Sequence, residues 1–222
     1  AQEGALLAFS AGTGNTGYFG LPIALIILPA EGVTLYLFCI LGVTLYEFTV
    51  GFYVSARGQF SVRQSLGKIA RLPLVYAFLA ALLLTQLGIT LPSDVMTSLD
   101  VFPATYTLLG MMIIGMTLSH VTLAAWDTRL IGACIVLRYG IWPLATLVMV
   151  VLLQHWMAIP ASLAMAVLLL GVVPMAANVV VVAMELDIQP QKGALAVLVT
   201  TLMAPLLIPV YLGVMFRLSG LC

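Results

Sequence analysis

Long apolar stretches, with polar residues confined to the intervals between them, dominate the pattern of this sequence. The run 163–173 contains no polar side chain, whereas a barrel strand would alternate apolar and polar residues. Apolar stretches of about 20 residues predict membrane-spanning helices. Seven can be delimited, at about 5–29, 33–55, 71–91, 99–119, 129–154, 160–185 and 193–216. The pattern therefore predicts an all-α integral membrane protein with about seven transmembrane helices.

Composition strengthens this prediction and removes one class of partner. Of the 222 residues, 63% are hydrophobic and only 7% are charged, and the mean hydropathy is +1.20. Soluble domains carry about 25% charged residues. Eight Lys and Arg balance eight Asp and Glu, so the chain has no basic field that would hold nucleic acid. The lipid bilayer is the partner that the composition indicates.

The distribution of cations predicts the orientation in the membrane. Arg57, Arg63, Lys68 and Arg71 crowd the connection after the second stretch, Arg129 opens the fifth, and Lys192 precedes the seventh. These three connections lie on one side of a seven-helix bundle, and short cation-rich loops stay in the cytoplasm. We therefore expect a multi-pass protein of the plasma membrane, a bacterial inner membrane, with its C-terminus external.

Two of the seven stretches contain helix breakers near their middle. Residues 12–22 hold four glycines, Asn15 and Pro22, and residues 171–178 hold Gly171, Pro174 and Asn178. Glycine and proline leave backbone polar groups without helical partners, which lipid cannot satisfy. We therefore expect two broken helices, 5–29 and 160–185, with both breaks inside the bundle. Close helix packing is the alternative reason for Gly and Pro in such spans.

Broken helices in corresponding positions of two halves indicate a transporter site near the bilayer midplane. Five helices separate corresponding members, so the two units would run in opposite senses, as inverted repeats do. Half-helix N-termini near 17–21 and 178–180 would favour an anionic substrate. Candidate substrate-binding residues are Asn15, Thr16, Gly17 and Asn178, which offer amide, hydroxyl and backbone groups.

Two charged residues fall deep inside apolar stretches. Glu47 lies in the second helix, where a carboxyl is costly and predicts either a coupling group that takes up a proton or a structural pair. Arg138 lies nine residues into the fifth helix. Two interpretations are open: its side chain reaches back to the cytoplasm, or it reaches inward to Glu47 or to a bound anion. No metal-ligand or catalytic spacing is present, so neither an enzyme nor a cofactor is predicted.

Three segments carry a resemblance to a known family. They are residues 14–22 (GNTGYFGLP), residues 109–118 (LGMMIIGMTL), and Pro174 to Pro205 with Asn178 between them. In these motifs and their order the chain resembles the auxin efflux carrier family, which includes bacterial organic-acid permeases and the PIN-type auxin carriers. The resemblance implies a ten-helix architecture of two inverted five-helix repeats. The chain would then supply the last seven helices and lack about 80 to 100 residues before Ala1.

The same resemblance implies a division of the chain and a function. Residues 1–55 would be the last two helices of the first repeat, 56–70 a cytoplasmic basic loop, and 71–222 the second repeat. Pro22 and Pro174 would join Asn15 and Asn178 where the broken helices cross. The implied function is secondary transport, by alternating access, of an organic carboxylate such as malate, malonate or an auxin-like acid.

Two other readings stay open at this level. A seven-helix receptor or sensor predicts unbroken spans and an intracellular signalling surface. The third hypothesis, after a transporter and a receptor, is a non-transporting, truncated membrane module. Homo-oligomer formation and proton coupling are further expectations that are compatible with the sequence.

Overall fold

The computed structural model describes residues 2–56, 73–99 and 126–221, with scattered single residues from 63 to 116. Nine helices are found in these ranges: α1 Gln2–Gly12, α2 Thr16–Ile27, α3 Ala30–Ala56, α4 Pro73–Gln86, α5 Ser93–Leu99, α6 Thr128–Trp156, α7 Ala161–Val172, α8 Asn178–Glu185 and α9 Pro190–Leu218. Among the described residues, strand-like pairing is confined to one isolated bridge. The all-α prediction is confirmed. The basic loop 56–70 and most of the predicted helix 99–119 lie outside the described residues.

Three of the described helices, α3, α6 and α9, are long and apolar enough to cross a membrane. Helices α2 and α7 are apolar but shorter. Large apolar side chains point outward from these helices, for example Leu206 at 76% exposure and Leu144 at 62%. A soluble protein rarely exposes such a continuous apolar surface, whereas lipid covers it. The chain is a multi-pass membrane protein.

Both predicted interruptions are present. The stretch 5–29 is split into α1 and α2 around residues 13–15, and the stretch 160–185 is split into α7 and α8 around residues 173–177. The two breaks lie between two hydrophobic clusters. One cluster unites α1, α8 and the start of α9, and the other unites α2, α7 and the end of α9.

In the described ranges, π-helical turns interrupt three of the helices, at Thr16–Gly20 in α2, Glu47–Gly51 in α3 and Leu137–Ile141 in α6. Such turns are rare and concentrate at functional sites. The first turn directly follows Asn15, the second begins with Glu47, and the third contains Arg138, and all three residues were predicted to be functional. The irregular backbone therefore collects around the broken helices.

The crossing of the two broken helices

The two breaks pair with each other through their backbones. The N–H of Asn15 donates to the carbonyl of Pro174 at 2.8 Å, and the N–H of Ala176 donates to the carbonyl of Thr13 at 3.3 Å. Gly14 and Met175 form an antiparallel bridge between these bonds. Polar backbone at bilayer depth has no water to bind, so the two breaks satisfy one another. The predicted crossing is thus a hydrogen-bonded unit.

Local side chains hold the first break in shape. The side-chain oxygen of Asn15 accepts from the N–H of Phe19 at 3.1 Å and so caps α2. The hydroxyl of Tyr36 on α3 donates to the carbonyl of Thr16 at 3.1 Å. Asn15 and Asn178 are the only two asparagines in the sequence. The fold brings both to the crossing.

A small cavity of about 100 Å³, here the Glu47 cavity, lies where α2 and α8 begin. Its lining comprises Gly14, Asn15, Thr16, Gly17, Tyr18, Ile40, Thr44, Glu47, Ala176, Ala177 and Asn178. Glu47 is only 3% exposed, and its Oε2 accepts from Nδ2 of Asn178 at 2.9 Å. Four of the predicted substrate-binding residues therefore meet around one buried carboxyl.

The charges in this cavity nearly offset one another when Glu47 is ionised. Each helix N-terminus carries about +0.5 of an elementary charge, and α2 and α8 both begin at this cavity. Two such ends balance about one carboxylate. An ionised Glu47 would thus be an anion of the protein itself at the place where the sequence predicted a bound one.

A larger cavity of about 350 Å³, here the Arg138 cavity, also reaches the first break. Its lining comprises Gly12, Gly14, Thr16, Cys39, Gly42, Val43, Arg138, Trp142, Thr146, Met149, Val167 and Leu170. Arg138 is 3% exposed, and its Nη2 donates to the carbonyl of Leu170 at 2.9 Å. Its Nε donates to the carbonyl of Val173, and its guanidinium lies 5.8 Å from the ring centre of Trp142.

The position of Arg138 distinguishes between the two interpretations of its side chain that the sequence left open. The side chain reaches into the bundle and binds the last carbonyls of α7, instead of extending to the cytoplasm. A Cβ atom at Gly14 would lie 2.3 Å from Nη2 of Arg138, so a side chain there would displace the guanidinium from its present position. Within the described ranges, the ion pairs involve Lys192 and not Arg138 or Glu47. Arg138 therefore has carbonyl partners and no carboxylate partner there.

The two predicted prolines take different places. Pro174 contributes its carbonyl to the pairing of the breaks, whereas Pro22 lies in the first turn of the α-helical part of α2 and lines neither cavity. Trp142 was not among the predicted site residues, and its indole N–H donates to the carbonyl of Ala11 at the end of α1. Its signal was the spacing, because Trp142 follows Arg138 by one helical turn.

A cluster of charges joins three helices at the end predicted to be cytoplasmic. Nζ of Lys192 lies 2.5 Å from Oε1 of Glu3 and 2.8 Å from Oδ2 of Asp127. Asp127 also caps α6, accepting from the N–H groups of Arg129 and Leu130. The hydrogen bond from Lys192 holds the pKa of Asp127 below its usual range. The cluster connects α1, α6 and α9.

One similar protein is an uncharacterized transporter of Methanocaldococcus jannaschii. It is 32% identical over 110 residues, which cover 48% of this chain and 36% of that protein. The chain thus spans about a third of the length of the curated relative that it matches. No solved structure matches the chain.

The profile described as the Sodium Bile acid symporter family matches residues 103–220, and no match to auxin efflux carriers accompanies it. The predicted membership of the auxin efflux carrier family is therefore wrong. Glycine, proline and asparagine at helix breaks follow from the crossing architecture, which transporters of different families share. The matched region includes Arg138, Pro174 and Asn178 and exceeds half of the 222 residues. The chain belongs to the sodium bile acid symporter family.

Proposed function

We propose that this chain forms part of a cation-coupled secondary transporter for an organic anion, with the crossing of the broken helices as its transport site. The observation that carries the proposal is the mutual pairing of the two breaks, with Asn15 donating to Pro174 at 2.8 Å. Discontinuous helices that meet at mid-membrane are the usual construction of such sites. The family description names sodium and bile acid, an organic anion, which supports the same class.

Alternating access provides the mechanism. The crossing lies between two hydrophobic clusters, and movement of helices around it would expose the site to one side at a time. The charge cluster of Lys192, Glu3 and Asp127 would help to close one end, since it joins three helices there. Its members are partly exposed, so the contacts can be exchanged for water at modest cost.

Glu47 is the coupling group in this proposal. Its carboxylate shares a small cavity with both helix N-termini and with the amides of Asn15 and Asn178. A proton, or a sodium ion bound by the carboxylate and neighbouring oxygens, would cancel its charge. The positive ends of α2 and α8 would then be left in excess, which favours entry of a substrate anion at the crossing.

Uptake by proteoliposomes tests the proposal. The protein, expressed with the sequence that flanks residues 1–222 in its gene, should accumulate a labelled organic acid when an inward cation gradient is imposed. Asn178→Ala and Asn15→Ala should each lower the initial rate about tenfold or more, because each removes an amide at the crossing. Gln86→Ala removes an amide at the exposed end of α4 and should leave the rate unchanged.

Two outcomes would contradict the proposal. Wild-type rates in both asparagine variants, with insertion into the membrane confirmed, would move the site away from the crossing. Absence of uptake of any organic acid by the unmodified protein, under both proton and sodium gradients, would favour the non-transporting module. The receptor reading predicts unbroken spans, and the two broken helices argue against it.

A further inference from the structure

Tyr139 of α6 makes hydrogen bonds to α9 with both its side chain and its backbone. Its hydroxyl donates to the carbonyl of Thr200 at 2.6 Å, and its own carbonyl accepts from the hydroxyl of Tyr211. Tyr139 and Thr200 are buried, so water cannot replace these partners without entering the bundle. These two hydrogen bonds are here called the tyrosine clasp.

Prolines explain why α6 and α9 use hydroxyl groups at this place. In a regular α-helix the carbonyl of Tyr139 would accept from the N–H four residues later, but that position is Pro143, which has no N–H. The hydroxyl of Tyr211 supplies a donor in its place. Helix α9 itself contains Pro205 and Pro209, and a proline inside a helix removes a hydrogen bond and favours a bend there.

The two contacts of the tyrosine clasp lie on opposite sides of the prolines in α9. Thr200 precedes Pro205 by five residues, and Tyr211 follows Pro209 by two. The start of α9 belongs to the hydrophobic cluster with α1 and α8, and its end belongs to the cluster with α2 and α7. A change of angle at the prolines would therefore move one cluster relative to the other, and one residue of α6 holds α9 on both sides of that point.

The same parts of α6 and α9 also contact the second break. Arg138, the residue before Tyr139, donates to the carbonyl of Val173. The N–H of Met175 donates to the hydroxyl of Thr200 at 3.4 Å. Successive residues of a helix point about 100° apart, so one turn of α6 serves both the break and α9. The angle between α6 and α9 therefore affects where the second break lies.

We propose that Tyr139 and Tyr211 are positioning residues of the transport site: the tyrosine clasp fixes the bend of α9 at its prolines and thereby holds the second break in the geometry that binds substrate. This inference rests on the proposed transport function. Neither tyrosine lines the Glu47 cavity or the Arg138 cavity, so both act through their neighbours at the break and not by touching the substrate.

The bend of α9 can be measured without transport. In the full-length protein with its native cysteines replaced, spin labels on Gln191→Cys and Leu218→Cys report the distance between the two ends of α9. Both positions are exposed. Tyr139→Phe and Tyr211→Phe each keep the aromatic ring and remove one hydrogen bond of the tyrosine clasp. Each should broaden the distribution of distances, because the proline segment is then no longer held on both sides.

Two controls show whether the broadening comes from the tyrosine clasp. Tyr53→Phe removes a phenol hydroxyl from α3 and neither bond of the clasp, so it should leave the distribution unchanged. Pro205→Ala and Pro209→Ala together restore two N–H donors to α9, and Tyr211→Phe should then have no further effect. Equal broadening with and without the prolines would overturn the assignment of the bend.

Uptake kinetics separate positioning from stability. The probe is labelled cholate, a bile acid, or the organic acid that the unmodified protein takes up faster. Tyr139→Phe and Tyr211→Phe should each raise KM about fivefold, as expected for the loss of one hydrogen bond, and keep the maximal rate per inserted protein within about twofold. A loss of stability alone would lower the amount of inserted protein and leave KM unchanged. The double variant should resemble either single variant, because both bonds hold the same bend.

The outcomes separate this inference from the proposed function. Unchanged distance distributions in both phenylalanine variants would overturn the role of the tyrosine clasp. Broader distributions with an unchanged KM would overturn the positioning role, although the protein would still be a transporter. Lack of uptake of any organic acid by the unmodified protein would defeat the proposed function and the positioning role with it, whereas the distances would still show whether the clasp holds α9.

Discussion

At the scale of single residues, the two buried charges occupy opposite electrostatic environments. Glu47 lies where α2 and α8 begin and accepts from Asn178, while Arg138 lies where α7 ends and donates to Leu170 and Val173. A carboxylate at helix N-termini and a cation at a helix C-terminus each offset the local helix dipole. This arrangement explains how both charges remain buried without forming an ion pair with each other.

Glu47→Gln tests the coupling role of the carboxyl. The substitution keeps the shape of the side chain and an oxygen that can accept from Asn178, but it removes the exchangeable charge. We expect exchange of labelled substrate across the membrane to continue, while accumulation against a gradient is lost, as measured in proteoliposomes with imposed proton or sodium gradients. If the variant still concentrates substrate and stops only when the cation gradient collapses, another group provides the coupling.

At the scale of helices, close packing of α6 against α7 positions Arg138 beside the second break. A Cβ atom at Gly171 of α7 would lie 2.0 Å from Oγ1 of Thr146 on α6, so these helices approach as closely as a glycine permits. Small residues at helix contacts are typical of membrane bundles, in which packing provides much of the association energy. The distance between these two helices sets where the guanidinium meets the carbonyls of α7.

Gly171→Ala should lower the stability of the bundle, because the added methyl group overlaps Thr146 and forces the helices apart. We expect a loss of about 1–3 kcal/mol, seen as a lower melting temperature in detergent. Gly132→Ala in α6 is the control, since a Cβ atom there meets nothing within 4 Å. That change should be neutral or raise the melting temperature by helix propensity. Equal effects of the two substitutions would show that the contact of α6 with α7 is unimportant.

The charge cluster at the start of α6 and α9 makes a prediction about pH. Because Lys192 holds the pKa of Asp127 below its usual range, the stabilising contact is present above the ordinary pKa and is lost as the pH falls through the lowered value.

Asp127→Asn keeps the acceptor that caps α6 but removes the charge. Hydrogen exchange of the first α6 amides should be faster in Asp127→Ala than in Asp127→Asn. Equal exchange in both variants would show that the cap contributes nothing.

At the scale of the whole molecule, the structure describes the helices, whereas their orientation in the membrane is predicted from the cations in the sequence. The described ranges contain three helices of spanning length and two broken ones, in agreement with five of the seven predicted stretches. The predicted repeat boundaries at residues 55 and 71 are not tested by these helices and remain predictions. The orientation rests on the cation-rich connections, and it too remains a prediction.

Labelling from the two sides of the membrane tests the orientation. In a background lacking Cys39, Cys134 and Cys222, Gln191→Cys should react with an impermeant maleimide only from the cytoplasmic side. Ser93→Cys should react only from the external side. Both positions are exposed in the structure, so access depends on the side of the membrane. The reverse pattern would invert the proposed topology.

The membrane class, the two broken helices and the carboxyl inside an apolar helix could be predicted from the sequence, because each depends on residues that are close together along the chain. The length of an apolar run indicates whether the segment spans the membrane. Gly or Pro alters the backbone at its own position in the helix. For the same reason these local signals did not separate one transporter family from another, and the resemblance to auxin efflux carriers was wrong.

The particular groups that meet at the crossing become apparent only from the way in which the helices pack together. Asn15 and Pro174 are far apart in sequence, and their hydrogen bond forms because two breaks lie at the same depth in the bundle. The sequence allowed the side chain of Arg138 to extend either to the cytoplasm or into the bundle. In the structure it extends into the bundle, where Gly14 has no side chain that would overlap the guanidinium. Contacts of this kind arise from the packing of helices that are remote in sequence, so no pattern within a single helix specifies them.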